Sequence, residues 1–249
     1  MSPDLQIQGA VATLNLRRPE VANKLTLSDL AVVRSHVEQI NRTTSVRILK
    51  IVGEGRHFCS GFDIENIQQS QAKGTSFGEM VDAIEACRAI TIARIQGAVY
   101  GGAVDLALAC DFRLGSSQSH MQVPPAKLGL HFYPTGMQRM CTRLGIDAAK
   151  RVLLRAEHFA GLEMKELGVL TDYCEHEALD TTLMQLEMQL LKMAPLALHG
   201  MKRNLNRIAN GLWDIEQMEL DVQASVNSAD LREGMQAWKE KRLPSFSGH

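Results

Sequence analysis

The chain has 249 residues, 45% hydrophobic and 22% charged, with a formal net charge of -1. That length suits one large α/β domain or a medium domain with a helical appendage, and so even a charge balance gives no footing for nucleic acid or a membrane surface as a bulk partner. The five cysteines are odd in number, widely spaced and never two residues apart, which argues against a disulfide framework or a cysteine zinc site and for a reducing, cytoplasmic compartment. The opening MSPDLQIQG has neither the basic nor the apolar segment of a secretory leader. No apolar run nears the roughly 20 residues a membrane helix needs.

In chain order, residues 10–16 alternate as a strand, and residues 27–40 repeat their apolar positions at three and four, as a helix does. Residues 47–52 (RILKIV) form a β-branched run that ends at Gly53 and Gly55, a strand followed by a turn. The polar stretch 68–78 reads as a loop beside whatever site precedes it, with Phe77, Met80 and Val81 as candidate lining residues. Residues 92–99 predict one strand running into Tyr100-Gly101-Gly102, then a helix over 103–109 and a strand over 111–114. Strand, helix and strand in this order imply crossover units of the α/β class.

Beyond Gly136 the chain turns helical, with amphipathic stretches at 147–156, 161–168, 176–192, 196–210 and 214–239. Asp147 is the expected N-cap of the first. Ala194-Pro195 is the clearest break, dividing a core over 1–193 from a helical region over 194–249. The twelve scattered methionines read as core filling.

Two glycine-bearing stretches stand out: His57-Phe58-Cys59-Ser60-Gly61-Phe62-Asp63-Ile64 and Gln96-Gly97-Ala98-Val99-Tyr100-Gly101-Gly102-Ala103-Val104-Asp105. Each follows a strand pattern, and the second opens a helix. Glycines there allow close backbone approach and leave N–H groups free at a helix N-terminus, donors suited to an oxygen gaining negative charge. They also serve as plain turns. Dinucleotide and P-loop phosphate fingerprints are absent, and no histidine–carboxylate cluster has metal-ligand spacing.

Together the two stretches resemble the crotonase (enoyl-CoA hydratase/isomerase) family. Further matches follow in the correct order: Arg18-Pro19-Glu20 with Asn23-Lys24-Leu25, Cys110-Asp111, Lys127-Leu128-Gly129 with Gln138-Arg139, Glu233-Gly234, and Lys241-Arg242-Leu243-Pro244-Ser245-Phe246. The resemblance implies a spiral of β-β-α units followed by trimerisation helices, a homotrimer or homohexamer, and an acyl-CoA thioester as substrate. It implies no cofactor beyond the CoA moiety. By position, the backbone N–H groups of Phe62 and Gly102 would hold the thioester oxygen, and Lys24, Ser60, Asp63 and Ile64 would lie against CoA.

The family's hydratases use two glutamates, at positions that match Asp105 and Pro125 here. Proline has no acid–base function, so the two-carboxylate hydration mechanism loses one partner. An aspartate at 105 is similar to the family's dienoyl-CoA isomerases, which carry another aspartate where this chain has Tyr133. The family's dehalogenases place a nucleophilic aspartate there, and some decarboxylases have a tyrosine one residue away. Asp105, Tyr133 and His131 are therefore the candidate polar groups facing the acyl chain. An aspartate in a first helical turn also suits the dipole without any catalysis. In an extended segment His131 and Tyr133 would share one face and Phe132 the other, and that face could be site or surface. His57, His120 and Asp111 read as structural, and Lys127 as solvated or subunit-facing. The resulting expectation is enoyl-CoA hydratase/isomerase-type chemistry through an enolate. Decarboxylation, a carrier-protein substrate or a non-catalytic CoA-binding scaffold are the alternatives.

Overall fold

The computed structural model describes residues 1–66 and 76–249, in two compact units, Met1–Leu183 and Met184–His249. Positions 68–75 of the expected loop lie outside the described residues. Its last members, Phe77 and Gly78, instead open a helix.

The first unit carries a six-stranded sheet in the order β1-β2-β3-β4-β6-β9. β1 (Asp4–Gln8) pairs antiparallel with β2 (Val11–Leu16), and β3 (Ile48–Gly53), β4 (Ile90–Ile95), β6 (Phe112–Ser116) and β9 (Asp172–Cys174) follow in parallel. A second, three-stranded sheet holds β5 (Ala98–Tyr100), β7 (His120–Gln122) and β8 (His158–Ala160). The chain steps from one sheet to the other within each turn: β4 leads to β5, and β6 to β7. β3 leads likewise to Phe58 and Cys59, whose N–H groups donate to the Ala98 carbonyl at 3.0 and 3.3 Å, while Tyr100 N–H donates to Cys59 O at 3.0 Å. Two strands then a helix, repeated, make the expected spiral of β-β-α units. The helices are α1 (Leu27–Arg42), α2 (Phe77–Glu85), α3 (Gly102–Ala109) and α4 (Pro134–Leu144).

The predicted strand over 92–99 is thus two strands in two sheets. The corner is Gln96-Gly97. The buried Gln96 amide donates to the carbonyls of Gly53, Gly55 and His57, at 2.5, 3.2 and 3.1 Å. Gly97 presses so closely on the preceding turn that a Cβ there would sit 2.2 Å from the Arg56 carbonyl oxygen. The core joins both sheets to the helices, with Leu14, Leu49, Ile51, Ile95, Val99, Leu106 and Met121 essentially inaccessible.

Further along, Ile146–Leu154 is capped by Gly145 rather than by Asp147, which falls inside the helix. The break at Ala194-Pro195 is present, with helices Leu179–Leu191 and Pro195–Ala209 on either side. The stretch 214–239 is two helices, Ile215–Val226 and Ala229–Glu240. The Ser228 hydroxyl accepts from Leu231 N–H and starts the second. Met80, Met121, Met140 and Met164 fill the core as expected, but Met184, Met188, Met193, Met201 and Met235 are exposed. Among the described residues no helix is long and apolar enough to cross a membrane.

Gly97→Ala is expected to destabilise the protein by about 1–3 kcal/mol through overpacking against backbone that cannot yield. An unchanged urea-unfolding midpoint would contradict this account of the corner.

Candidate active site

The opening segment and the first glycine stretch are tied together by Asn23, whose side chain is buried. Its Oδ1 accepts from Arg18 N–H and its Nδ2 donates to the carbonyls of Glu54 and His57, each at 2.9 Å. Leu25 N–H then donates to Gly61 O, and Asp63 N–H to Leu25 O, both at 2.9 Å. Gly61 has φ +92°, and a Cβ on it would lie 2.8 Å from Tyr100 O and 3.1 Å from Gly102 N. The two glycine stretches therefore meet backbone to backbone, as only glycine permits. Gly102 begins α3, so its N–H has no acceptor within the helix. Among the described residues neither it nor Phe62 N–H has an acceptor in the chain.

Of the positions expected beside CoA, Lys24 Nζ and Asp63 Oδ1 form a half-exposed ion pair at 3.2 Å. Ser60 bonds back to the opening segment, through its hydroxyl to Val21 O and its N–H to Ala22 O. Ile64 is exposed. Cys59 is structural: its thiol donates to Asn23 O at 3.2 Å, and burial pushes its pKa up to about 12.

Asp105 lies one turn into α3 and is wholly buried. Its Oδ2 accepts from Tyr133 Oη–H at 2.5 Å and from Arg139 Nη1 at 2.7 Å, and both donors belong to α4 or its N-cap. Its Oδ1 is buried with no hydrogen-bond partner among the described residues. Gly136 makes this approach possible. A Cβ there would come within 2.5 Å of the Phe132 ring, 2.8 Å of the Tyr133 ring and 3.0 Å of Asp105 Oδ2.

Sequence reasoning missed what lies behind Arg139. Its Nε donates to Glu85 Oε1 at 3.1 Å and its Nη2 to Asp82 Oδ1 at 2.6 Å, so one guanidinium serves three carboxylates. The available signal was the placing of Asp82 and Glu85 three apart on a helix whose positions between and around them, from Met80 to Ile84, are apolar, which puts both on one face.

Burial, the largest influence, pushes the Asp105 carboxyl above the usual carboxylate range. Arg139 and Tyr133 pull it back, and Glu85 adds to the rise. Burial and then the charge of Asp105 hold the Tyr133 phenol well above its ordinary value. Burial also works against the charge on Arg139, but Asp105 and Glu85 more than offset it and the guanidinium stays protonated.

His131 does not join this cluster. It is exposed, and its Nδ1 lies 2.7 Å from the Phe132 carbonyl oxygen. The alternating geometry expected for 131–133 is also absent. The Phe132 and Tyr133 rings stack at 4.7 Å with 19° between planes, so they share a side, because the chain turns there to enter α4. Phe77 packs over Gly102, with its ring 5.8 Å from Phe62 and 6.0 Å from Tyr133, whereas Met80 and Val81 are fully buried in the core. Pro125 is buried at the start of a 3-10 turn, Pro125–Leu128. Asp111 is structural, its Oδ2 accepting from the N–H and hydroxyl of Thr91. His57 Nδ1 accepts from Ala98 N–H, and His120 stacks on His158. Among the described residues no group of three or more His, Cys, Asp or Glu is placed to hold a metal ion.

A β-β-α spiral with two glycine stretches converging beside a buried carboxylate defines a crotonase-fold enzyme. The enoyl-CoA hydratase/isomerase family model matches residues 6–249, and the chain belongs to that family. It is 30% identical to the peroxisomal Delta(3,5)-Delta(2,4)-dienoyl-CoA isomerase of Arabidopsis thaliana, covering 96% of this chain and 93% of that one. It is 29% identical to the enoyl-CoA isomerase/hydratase fer4 of Mycosarcoma maydis, over 94% and 92%. The crystal structure of an enoyl-CoA hydratase/carnithine racemase from Magnetospirillum magneticum matches with a TM-score of 0.94 at 25% identity, over 100% of this chain and 96% of that one.

Because its pKa is raised, Tyr133 stays protonated as pH rises through about 10, where free tyrosine ionises. Ultraviolet titration of the native protein through that range should therefore give the same amplitude for wild type and Tyr133→Phe. A smaller amplitude in the variant would refute the buried Tyr133–Asp105 bond.

Proposed function

We propose that the protein shifts a double bond in an acyl-CoA thioester by a one-base proton transfer through an enolate. The thioester oxygen accepts from the backbone N–H groups of Phe62 and Gly102, donors worth about 2.7–4 kcal/mol each in comparable sites. Asp105 takes a proton from the α-carbon of a β,γ-unsaturated thioester through its free Oδ1. The C–H electron pair passes into a dienolate on the thioester oxygen. Return of the proton to the γ-carbon leaves the α,β-unsaturated isomer, and the step balances without any co-reactant. No cofactor beyond the CoA moiety is needed. Lys24, Ser60, Asp63 and Ile64 would face that moiety.

The observation that carries this reading is the buried carboxylate with one committed and one free oxygen, one turn along the helix that Gly102 opens. Pro125 favours isomerisation over hydration, since activating a water and delivering a proton calls for a second acid–base group. The Tyr133 phenol is engaged by Asp105, so it orients the base and is not the proton donor a decarboxylase would want. His131, exposed and turned to a carbonyl, is outside the proton path.

Asp105→Asn should lower turnover of a β,γ-enoyl-CoA by about 10²–10⁴-fold. Mass spectrometry of the wild-type reaction should show a product of unchanged mass in H₂O and deuterium uptake in D₂O. A mass gain of one water, or full activity in Asp105→Asn, would defeat the reading.

The homotrimer or homohexamer is part of the same proposal. Within Met184–His249 the side chains of Met201, Leu205, Trp213, Ile215, Val222 and Trp238 are exposed, apolar surface that contact with other copies would cover. Light scattering should return three or six times 27.5 kDa. A single-chain mass would exclude the assembly.

A further inference from the structure

We propose that Glu85 is a positioning residue for the reaction: by sharing Arg139 with Asp105, it fixes how that carboxylate is held and how readily it accepts a proton. This rests on the reading of Asp105 as the base.

The geometry leaves Arg139 little freedom. Its Nη1 goes to Asp105, its Nε to Glu85, and its Nη2 to both Asp82 and Glu85. The guanidinium is a rigid plane, so its angle at Asp105 is set by the two carboxylates on its other edges. Glu85 is itself buried, and Arg143 approaches its Oε1 at 3.7 Å from the same helix as Arg139. Among the described residues, Asp105 is thus met by Tyr133 and Arg139 from α4 and its cap and feels the charge of Glu85 from α2, while Arg143 and Asp82 stand one contact further out, against Glu85 and Arg139. α3 (GAVDLALA) contributes none besides Asp105.

The two carboxylates of α2 divide the positive charge that would otherwise bear on Asp105 alone. Glu85 keeps Asp105 more basic than a one-to-one pair with arginine would, and more able to remove a carbon-bound proton. The direction of its influence on Asp105 agrees.

The sign follows. A base must be ionised to act, so kcat/KM falls as pH drops through the pKa of Asp105. Glu85→Gln removes the repelling charge and keeps an oxygen to accept from Arg139 Nε. Asp105 becomes a weaker base that stays ionised to lower pH. The experiment is the pH profile of kcat/KM for β,γ-enoyl-CoA isomerisation with wild type, Glu85→Gln, Asp82→Asn and Asp105→Asn. The expected result is a crossing of profiles. Glu85→Gln has its acidic limb displaced to lower pH and exceeds wild type at the acid end, yet turns over several-fold more slowly on the plateau. Asp82→Asn, changed at a half-exposed group, moves the same way by less. A merely structural Glu85 would lower the whole profile without moving its limb, and that overturns the proposal, as does superposition of both variants on wild type. If Glu85→Gln does not fold, the limb of Asp82→Asn decides. An Asp105→Asn enzyme with normal turnover would instead sink the underlying reading of the base.

Discussion

The site depends on one buried guanidinium. Arg139 reaches three carboxylates on two helices, and the guanidinium, Asp105 and Glu85 are out of water while Asp82 is half-exposed. Removing a carboxylate and a guanidinium from solvent costs several kcal/mol per ion, and mutual attraction repays this only when geometry and hydrogen bonding are good. Here almost every donor of the fork is used. The penalty for breaking the arrangement then falls on whichever charge is left behind, so α2, α3 and α4 hold a single relative placement. What Arg139 contributes is specificity of arrangement more than net stability. It makes Asp105 a carboxylate with one oxygen spoken for.

Small residues do the complementary work. Gly61 lets two loops touch through their backbones, and Gly136 lets the first turn of α4 lie against Asp105. A methyl group at either place would intrude on backbone atoms, or on the phenol and carboxylate that form the pair. The polar network and the glycines are therefore two halves of one constraint. Charges pull the helices together, and the absence of side chains sets how near they come.

Much of this was legible in the chain. The alternating 10–16 and β-branched 47–52 segments announce strands, the first with alternating burial over Val11–Leu16 and the second buried at most positions of Ile48–Gly53. The paired glycine stretches announce a place where backbone approaches backbone closely. The spiral was harder to read from pattern alone. Residues 92–99 are apolar on both sides of Gln96-Gly97 except at Arg94, and hydrophobicity does not reveal that the chain changes sheets there. A glycine within a β-branched run was the hint. Tyr133 was singled out by position, and its phenol is turned toward Asp105 by the start of α4, which a period-two reading of 131–133 misses. The roles of Asp82, Glu85 and Arg139 depend on three helices meeting, a tertiary fact with only a faint trace in the three-residue spacing on α2. The exposed methionines between 184 and 235 show the same limit, since an apolar helix face looks alike whether it meets its own core or another surface.

The stepping of the chain between two sheets has one more consequence. Phe58–Cys59, Ala98–Tyr100 and His120–Gln122 lie side by side as rungs of one short ladder, and each runs directly on into a segment of the site. The first leads to Phe62, the second to Gly102, the third to Pro125. Neighbouring rungs are about 4.8 Å apart wherever backbones pair in this way. The pitch of the ladder acts as a ruler, and no side chain can redraw its divisions. Substitutions at 105, 125 and 133 change side chains beyond the ends of these rungs, while the spacing between the backbones that carry them stays set by the pairing of the strands.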